Sequence, residues 1–120
     1  MKEYYLVLER GLIQKSIYPL AGSMTIGRGP ESDITVIDWK VARRHARMSF
    51  QKNAWVIEDL GSANGIIVAG ERVEKKILDS EDAFEIGGYT FRFVEHEPSV
   101  STEQFIETVK AFAAAIRYQS

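Results

Sequence analysis

Cysteine is absent from the 120 residues of the chain. Its absence excludes disulfides, zinc-thiolate sites and thiol nucleophiles together. Also missing is any apolar run near the roughly 20 residues that a membrane-spanning helix needs. The first residues, Met1-Lys2-Glu3, are mixed in charge rather than basic and then apolar. We therefore expect no signal peptide, no membrane insertion and a cytoplasmic location.

A strong excess of one charge is missing too, because 15 Lys and Arg against 17 Asp and Glu leave a formal net charge of -2. This balance gives no overall attraction to nucleic acid or anionic lipid, so any recognition of an anion must be local. The basic residues are not interleaved with aromatic ones, and we expect no nucleic-acid partner. With 45% hydrophobic and 27% charged residues, the chain has the composition of one small globular domain.

Internal repeats and low-complexity tracts are also lacking, and most of the chain consists of short apolar runs with period-two alternation. Turn residues separate these runs every 8–12 residues or so, which is typical of an all-β sandwich or barrel. The predicted strands are Tyr4 to Leu8, Ile13 to Tyr18, Met24 to Ile26, Ile34 to Val36, His45 to Phe50, Ala54 to Glu58, Ile66 to Val68, Ala83 to Ile86 and Tyr89 to Val94.

After Pro98 the apolar period changes from two to 3.6 residues. Ser101 and Gln104 have the spacing of a capping box, which predicts one amphipathic C-terminal α-helix. We expect a β-sandwich domain over residues 1–96 and a short linker with this helix over 97–120, the linker-like stretch running from Glu95 to Val100. The helix either packs on the sandwich or binds a partner or a second copy of the chain. Its apolar stripe consists of Phe105, Ile106, Val109, Phe112, Ala113 and Ile116.

Three predicted loops contain the candidate functional residues. These segments are Gly27-Arg28, Arg43-Arg44-His45 and Ser62-Ala63-Asn64-Gly65. In this order the three segments resemble the forkhead-associated (FHA) domain family, over about Leu20 to Val94. The resemblance implies an all-β sandwich of about eleven strands, which binds phosphothreonine peptides with the loops at one end. It also implies a phosphorylated protein from a Ser/Thr kinase pathway as partner, with no catalysis and no cofactor.

A phosphothreonine carries a charge close to -2 and three acceptor oxygens, and the planar fork of arginine can bind such a group at two points. Arg28 is the first candidate for this role, and the alternative is a solvated loop arginine. The resemblance implies that Arg43 reaches the phosphate or the peptide backbone and that Asn64 binds the peptide main chain. It further implies that Lys40 contacts the third residue after the phosphothreonine, where an acidic side chain would be favoured.

Other residues of the pattern have structural roles by the same resemblance: His45 braces the loops, and Gly27, Ser62 and Gly65 support them. Asn-Gly is also a common two-residue hairpin turn, so Asn64 has a purely structural alternative.

Two departures fall inside the expected site. Ala42 stands where the family has a phosphate-binding serine, and Ala63 stands where many members have a threonine or serine. A hydrogen bond to a charged group contributes about 1.5–3 kcal/mol, so losing two hydroxyls would weaken binding by roughly a hundredfold to ten-thousandfold. Water or Arg43 and Arg44 could replace part of this loss.

Three functions remain open. The first is a phosphothreonine reader, and the second is a phosphate-independent assembly domain of the kind found in secretion machinery. An enzyme is least supported, because His45 and His96 are the only histidines and no spacing of acidic residues and histidines indicates a metal site.

Overall fold

The computed structural model describes residues 2–10, 16–97, 106–107 and 109–110, and the predicted all-β fold is confirmed. In chain order the strands are β1 (Glu3–Arg10), β2 (Ile17–Pro19), β3 (Met24–Gly27), β4 (Ile34–Thr35), β5 (Ala46–Gln51), β6 (Ala54–Asp59), β7 (Ile66–Val68), β8 (Glu71–Val73), β9 (Lys75–Leu78), β10 (Ala83–Ile86) and β11 (Tyr89–His96).

These strands form a sandwich of two sheets. One sheet has the order β2-β1-β11-β10-β7-β8 and the other the order β4-β3-β5-β6-β9. Alternate residues of both sheets point into one shared core, as the period of two predicts. Side chains from both sheets are almost completely buried in this core. They include Leu6, Phe84 and Phe91 of the first sheet and Met48 and Ile57 of the second.

The register of the second sheet brings the three predicted loops together. β3 pairs antiparallel with β5 through Ile26 and Ala46, and Ala46 also lies opposite Asp59 of β6. The end of β3, the start of β5 and the end of β6 therefore lie side by side. The loops that follow β3 and β6, and the loop that precedes β5, must emerge from the same end of the sandwich.

All nine predicted strands are confirmed in position, with differences at their ends. Two strands were not predicted, β8 and β9, which lie at the edges of the two sheets. The predicted linker-like stretch is wrong at its start, because Glu95 and His96 continue β11 and pair with Tyr4 and Glu3. Residues 11–15, which include the start of the predicted second strand, lie outside the described residues.

Only four residues of the predicted helix are described, and all four are helical: Ile106, Glu107, Val109 and Lys110. Ile106 and Lys110 line a cavity together with Tyr5, Val7 and Ile17 of β1 and β2. This part of the helix thus lies beside β1 and β2. The other residues of the predicted helix lie outside the described part of the chain.

No helix within the described residues is long and apolar enough to cross a membrane. Nor do these residues contain a group of three or more acidic or histidine side chains that could hold a metal ion.

Candidate functional site

The end of β3 and the segment before β5 approach each other closely. The amide of Arg28 donates to the carbonyl of Ala42 at 2.9 Å, and the amide of Gly29 donates to the carbonyl of Arg43 at 3.1 Å. A Cβ atom on Gly27 would collide with the Arg43 carbonyl oxygen. Glycine at position 27 therefore permits the backbone contact that places Arg28 beside Ala42 and Arg43.

Arg28 is exposed but anchored at one point. Its Nε donates to the carbonyl oxygen of Val41 at 3.1 Å, and Val41 is itself buried. Among the described residues the terminal guanidinium nitrogens have no other partner. A neutral carbonyl thus fixes the direction of the side chain and leaves its two-point donor end available to a ligand.

Arg43 is exposed as well, but it has a charged partner. Its Nε donates to Oε1 of Glu31 at 3.1 Å, and its Nη2 lies 3.5 Å from Oε2. The pKa of the Glu31 carboxyl lies below its ordinary 4.5, mainly because the carboxylate accepts a hydrogen bond from its own backbone amide. The hydrogen bond and charge of Arg43 and the charge of Arg44 lower the pKa too, whereas desolvation raises it. Both arginines thus lie on the loop end of the sandwich, one without and one with a counter-ion.

His45 connects the two sides of the site and is completely buried. Its Nδ1 accepts a hydrogen bond from the amide of Ala42 at 3.0 Å, and its Nε2 lies 2.7 Å from the carbonyl oxygen of Gly65. Because Nδ1 is an acceptor, the ring proton must be on Nε2, from which it donates to Gly65. His45 therefore links the segment before β5 to the turn between β6 and β7.

The turn between β6 and β7 is closed by Ser62. Its hydroxyl donates to Asp59 at 2.5 Å and accepts from the amide of Gly65 at 2.9 Å. Gly65 has a φ of 73°, and a Cβ atom there would lie 2.5 Å from Nε of Arg72. Ser62 therefore connects the end of β6 to Gly65 within this turn.

Asn64 bridges from this turn to the loop before β5. Its Nδ2 donates to the carbonyl oxygen of Lys40 at 2.7 Å. This bond fixes the orientation of the amide and leaves its oxygen to accept, for example, a peptide N–H. Ala63 is exposed next to Asn64, and the Lys40 ammonium lies over Gly88 in the turn between β10 and β11.

The six predicted ligand-contacting positions lie on three neighbouring loops, namely Arg28, Lys40, Ala42, Arg43, Ala63 and Asn64. The hydrogen bonds of Ala42, His45 and Gly65 connect these loops directly. Arg47 does not join them, because it lies on β5 opposite Glu58, on the face turned away from the core. Arg44 is exposed, and its charge acts on Glu31.

Three features of the site were not predicted. Arg72 of β8 donates to the carbonyl oxygens of Ala63 at 3.1 Å and Ser62 at 3.0 Å, and so holds the turn that carries Asn64. Glu31 pairs with Arg43. Ile37 and Trp39 are 83% and 86% exposed on the loop before β5. Of these three features, only the exposed apolar pair could have been noticed in the sequence, because Ile37 and Trp39 interrupt a polar loop.

The family profile described as FHA domain matches residues 24–87, which include all three loops. The chain belongs to the FHA domain family. This result confirms the resemblance on which the site residues were assigned.

Two relatives of this FHA domain are named for a regulatory or inhibitory role. An oxoglutarate dehydrogenase inhibitor of Corynebacterium diphtheriae is 41% identical over 71 residues, which are 59% of this chain and 50% of the relative. The glycogen accumulation regulator GarA of Mycobacterium tuberculosis is 37% identical over 90 residues, or 74% of this chain and 56% of the relative. The chain thus spans about half the length of the curated relatives it matches.

Solved structures show the same fold. The Mycobacterium tuberculosis protein EmbR in complex with a low-affinity phosphopeptide matches with a TM-score of 0.68 and 33% identity, over 77% of this chain and 24% of that one. A structure described under phosphothreonine-dependent FHA domain interactions matches with a TM-score of 0.70 and 28% identity, over 79% of this chain and 98% of that one. FHA domains of this group therefore include phosphopeptide-binding ones.

Proposed function

We propose that this FHA domain is a non-catalytic reader that binds phosphothreonine-containing segments of cytoplasmic proteins. The observation that carries the proposal is the state of Arg28. Its Nε is held by the neutral carbonyl of Val41, its terminal nitrogens have no other partner among the described residues, and it lies on the same loop end as Arg43 and Asn64. Because the guanidinium is already oriented, it can bind a doubly charged anion with little loss of side-chain conformational entropy.

The other loop residues give the peptide a direction. The free oxygen of the Asn64 amide suits a main-chain N–H beside the phosphothreonine, and Lys40 suits an acidic residue three positions further on. The partner would then be a protein phosphorylated by a Ser/Thr kinase. Support comes from the family and from the phosphopeptide-binding proteins that share its fold.

Binding of a degenerate phosphothreonine peptide pool and its unphosphorylated twin, measured by isothermal titration, tests this function. We expect micromolar binding of the phosphorylated pool alone, and its loss in Arg28→Ala. Arg47→Ala is the matched control, because it removes the same charge from the outer face of β5. Equal binding of both pools, or unchanged binding by Arg28→Ala, would contradict the proposal.

A second candidate is phosphate-independent binding of a protein partner. Ile37 and Trp39 favour it, because two large apolar side chains are held in solvent on the same loop as Lys40. In this case Trp39→Ala would abolish binding of the unphosphorylated partner and Arg28→Ala would not. The described part of the C-terminal helix favours it less, since Ile106 lies beside the domain's own β1 and β2.

A further inference from the structure

We infer that Glu31 competes with the bound phosphate for Arg43 and thereby sets the affinity of the site. The inference rests on the proposed function, since it concerns the same phosphate. Glu31 lies in the loop between β3 and β4, three positions after Arg28 and outside the sequence pattern that identifies the family.

The first step of the argument is the geometry of the pair. Two neighbouring nitrogens of Arg43, Nε and Nη2, face the two carboxylate oxygens of Glu31 at 3.1 and 3.5 Å. This is the side-by-side arrangement that a phosphate would adopt on an arginine fork. One whole edge of the Arg43 guanidinium is therefore occupied by a carboxylate in the free domain.

The second step is the contrast with Arg28, which is held by the neutral carbonyl of Val41. No carboxylate faces Arg28 among the described residues, so a ligand meets its donor end without displacing a charge. Arg43 differs, because a phosphate must either replace Glu31 or bind next to it. In both cases the negative charge at position 31 opposes binding.

The third step is that Glu31 is held where it is. Its carboxylate lies over Gly29, so that a Cβ atom there would be 2.5 Å from Oε1. The hydrogen bond from its own backbone amide is the largest cause that lowers the pKa of Glu31 below its ordinary 4.5, so the carboxylate is ionised at neutral pH. Because the carboxylate lies against its own loop, its charge stays near the phosphate after it loses Arg43.

The size of the effect follows from exposure. The side chains of Arg43 and Glu31 are 65% and 48% exposed, so solvent screens their attraction. An exposed pair of this kind changes an equilibrium by roughly two- to fivefold. Removing the charge of Glu31 should therefore tighten phosphopeptide binding by about this factor.

The experiment measures fluorescence anisotropy of a labelled, degenerate phosphothreonine peptide pool with Glu31→Gln and Glu31→Ala. We expect both variants to bind roughly two- to fivefold more tightly than the wild type. In an Arg43→Ala background the gain from Glu31→Gln should shrink. The matched control is Glu97→Gln, which removes an exposed glutamate paired with Lys2 at the opposite end of the sandwich.

The opposite result identifies a different role. If Glu31→Ala binds more weakly while Glu31→Gln is unchanged, Glu31 positions Arg43 instead of competing for it, and the inference is overturned. The same holds if both variants bind as the wild type does.

A second measurement separates this inference from the proposed function. Inorganic phosphate is titrated into wild type and Glu31→Gln, and the Nε–H signal of Arg43 is followed by NMR. We expect the half-shift at a lower phosphate concentration in Glu31→Gln, even if every peptide pool is silent and the reader function fails. An equal half-shift, or no shift in either protein, would refute the competition.

Discussion

Ala42 stands at the expected phosphate-binding position, and its backbone is hydrogen-bonded on both sides. The amide of Ala42 donates to His45, and its carbonyl accepts from the amide of Arg28. The backbone is therefore fixed on both sides of a half-buried methyl group. A serine at position 42 would add its hydroxyl to a backbone that these two hydrogen bonds already hold.

We predict that Ala42→Ser raises phosphopeptide affinity by about tenfold or more, because one added hydrogen bond to a charged group contributes about 1.5–3 kcal/mol. Isothermal titration with the phosphothreonine pool measures the change. Ala54→Ser on β6, at the other end of the sandwich, is the control and should have no effect. An unchanged affinity would mean that position 42 does not contact the phosphate.

Residues of the candidate site were predictable where they belong to the family pattern and unpredictable where they act through contacts outside it. Gly27-Arg28, His45 and Asn64-Gly65 were identified because three short segments follow one another in the order that resembles the FHA family. Glu31 meets Arg43 twelve residues away, and Arg72 meets Ser62 ten residues away on a strand that was not predicted. Only the folded backbone creates these pairs, so no spacing in the sequence indicates them.

At the scale of elements, the two strands missed by prediction are the charged edge strands. β8 contains Glu71 and Arg72, and β9 begins with Lys75-Lys76. Edge strands often carry such charges, which prevent pairing with other chains, and the charges hide the alternation that marks a strand. The central strands were predictable because their inward residues enter one core and their apolar period is intact.

The loop between β4 and β5 is another element that depends on a distant contact. Tyr89 of β11 donates its hydroxyl to Asp38 at 3.2 Å, and Asp38 also accepts from the amide of Lys40 at 2.8 Å. The loop that presents Ile37, Trp39 and Lys40 is thus attached to the neighbouring hairpin. Burial, and then the bond to Asp38, raise the pKa of Tyr89 above its ordinary 10.0.

We predict that Tyr89→Phe lowers the free energy of unfolding at pH 7 by about 1.5–3 kcal/mol, the contribution of a hydrogen bond to a charged group. Because the pKa of Tyr89 is raised in the folded state, the hydrogen bond contributes its full stabilisation below the unfolded pKa near 10. This stabilisation is lost as the pH rises through the folded-state pKa. The difference between wild type and Tyr89→Phe should therefore shrink above pH 10.

Urea denaturation between pH 7 and 11 measures this difference. Tyr18→Phe on β2 removes one phenol hydroxyl away from the loop and serves as the control. A difference that persists unchanged at pH 11 would contradict the role of the neutral Tyr89 hydroxyl.

At the scale of the whole molecule, a net charge of -2 conceals an uneven distribution. The loops at one end carry four basic side chains, those of Arg28, Lys40, Arg43 and Arg44. Glu31, Asp33 and Asp38 on the same loops offset only part of this charge. The field that a dianionic ligand meets is therefore local and positive, although the domain as a whole is weakly acidic. The family resemblance implied that these loops lie at one end, and the register of β3, β5 and β6 brings them there.

This distribution predicts how salt acts on the two candidate functions. Salt at 0.1 M screens exposed charges that are more than about 10 Å apart, and this screening length shortens as the salt concentration rises. Phosphopeptide affinity should therefore fall by roughly tenfold between 0.05 and 0.5 M sodium chloride. Apolar contacts of Ile37 and Trp39 would not weaken under the same change. Anisotropy measurements at both salt concentrations distinguish the two modes, with Arg28→Ala as the reference. An affinity that is independent of salt would argue against the reader and for a partner bound through the apolar pair.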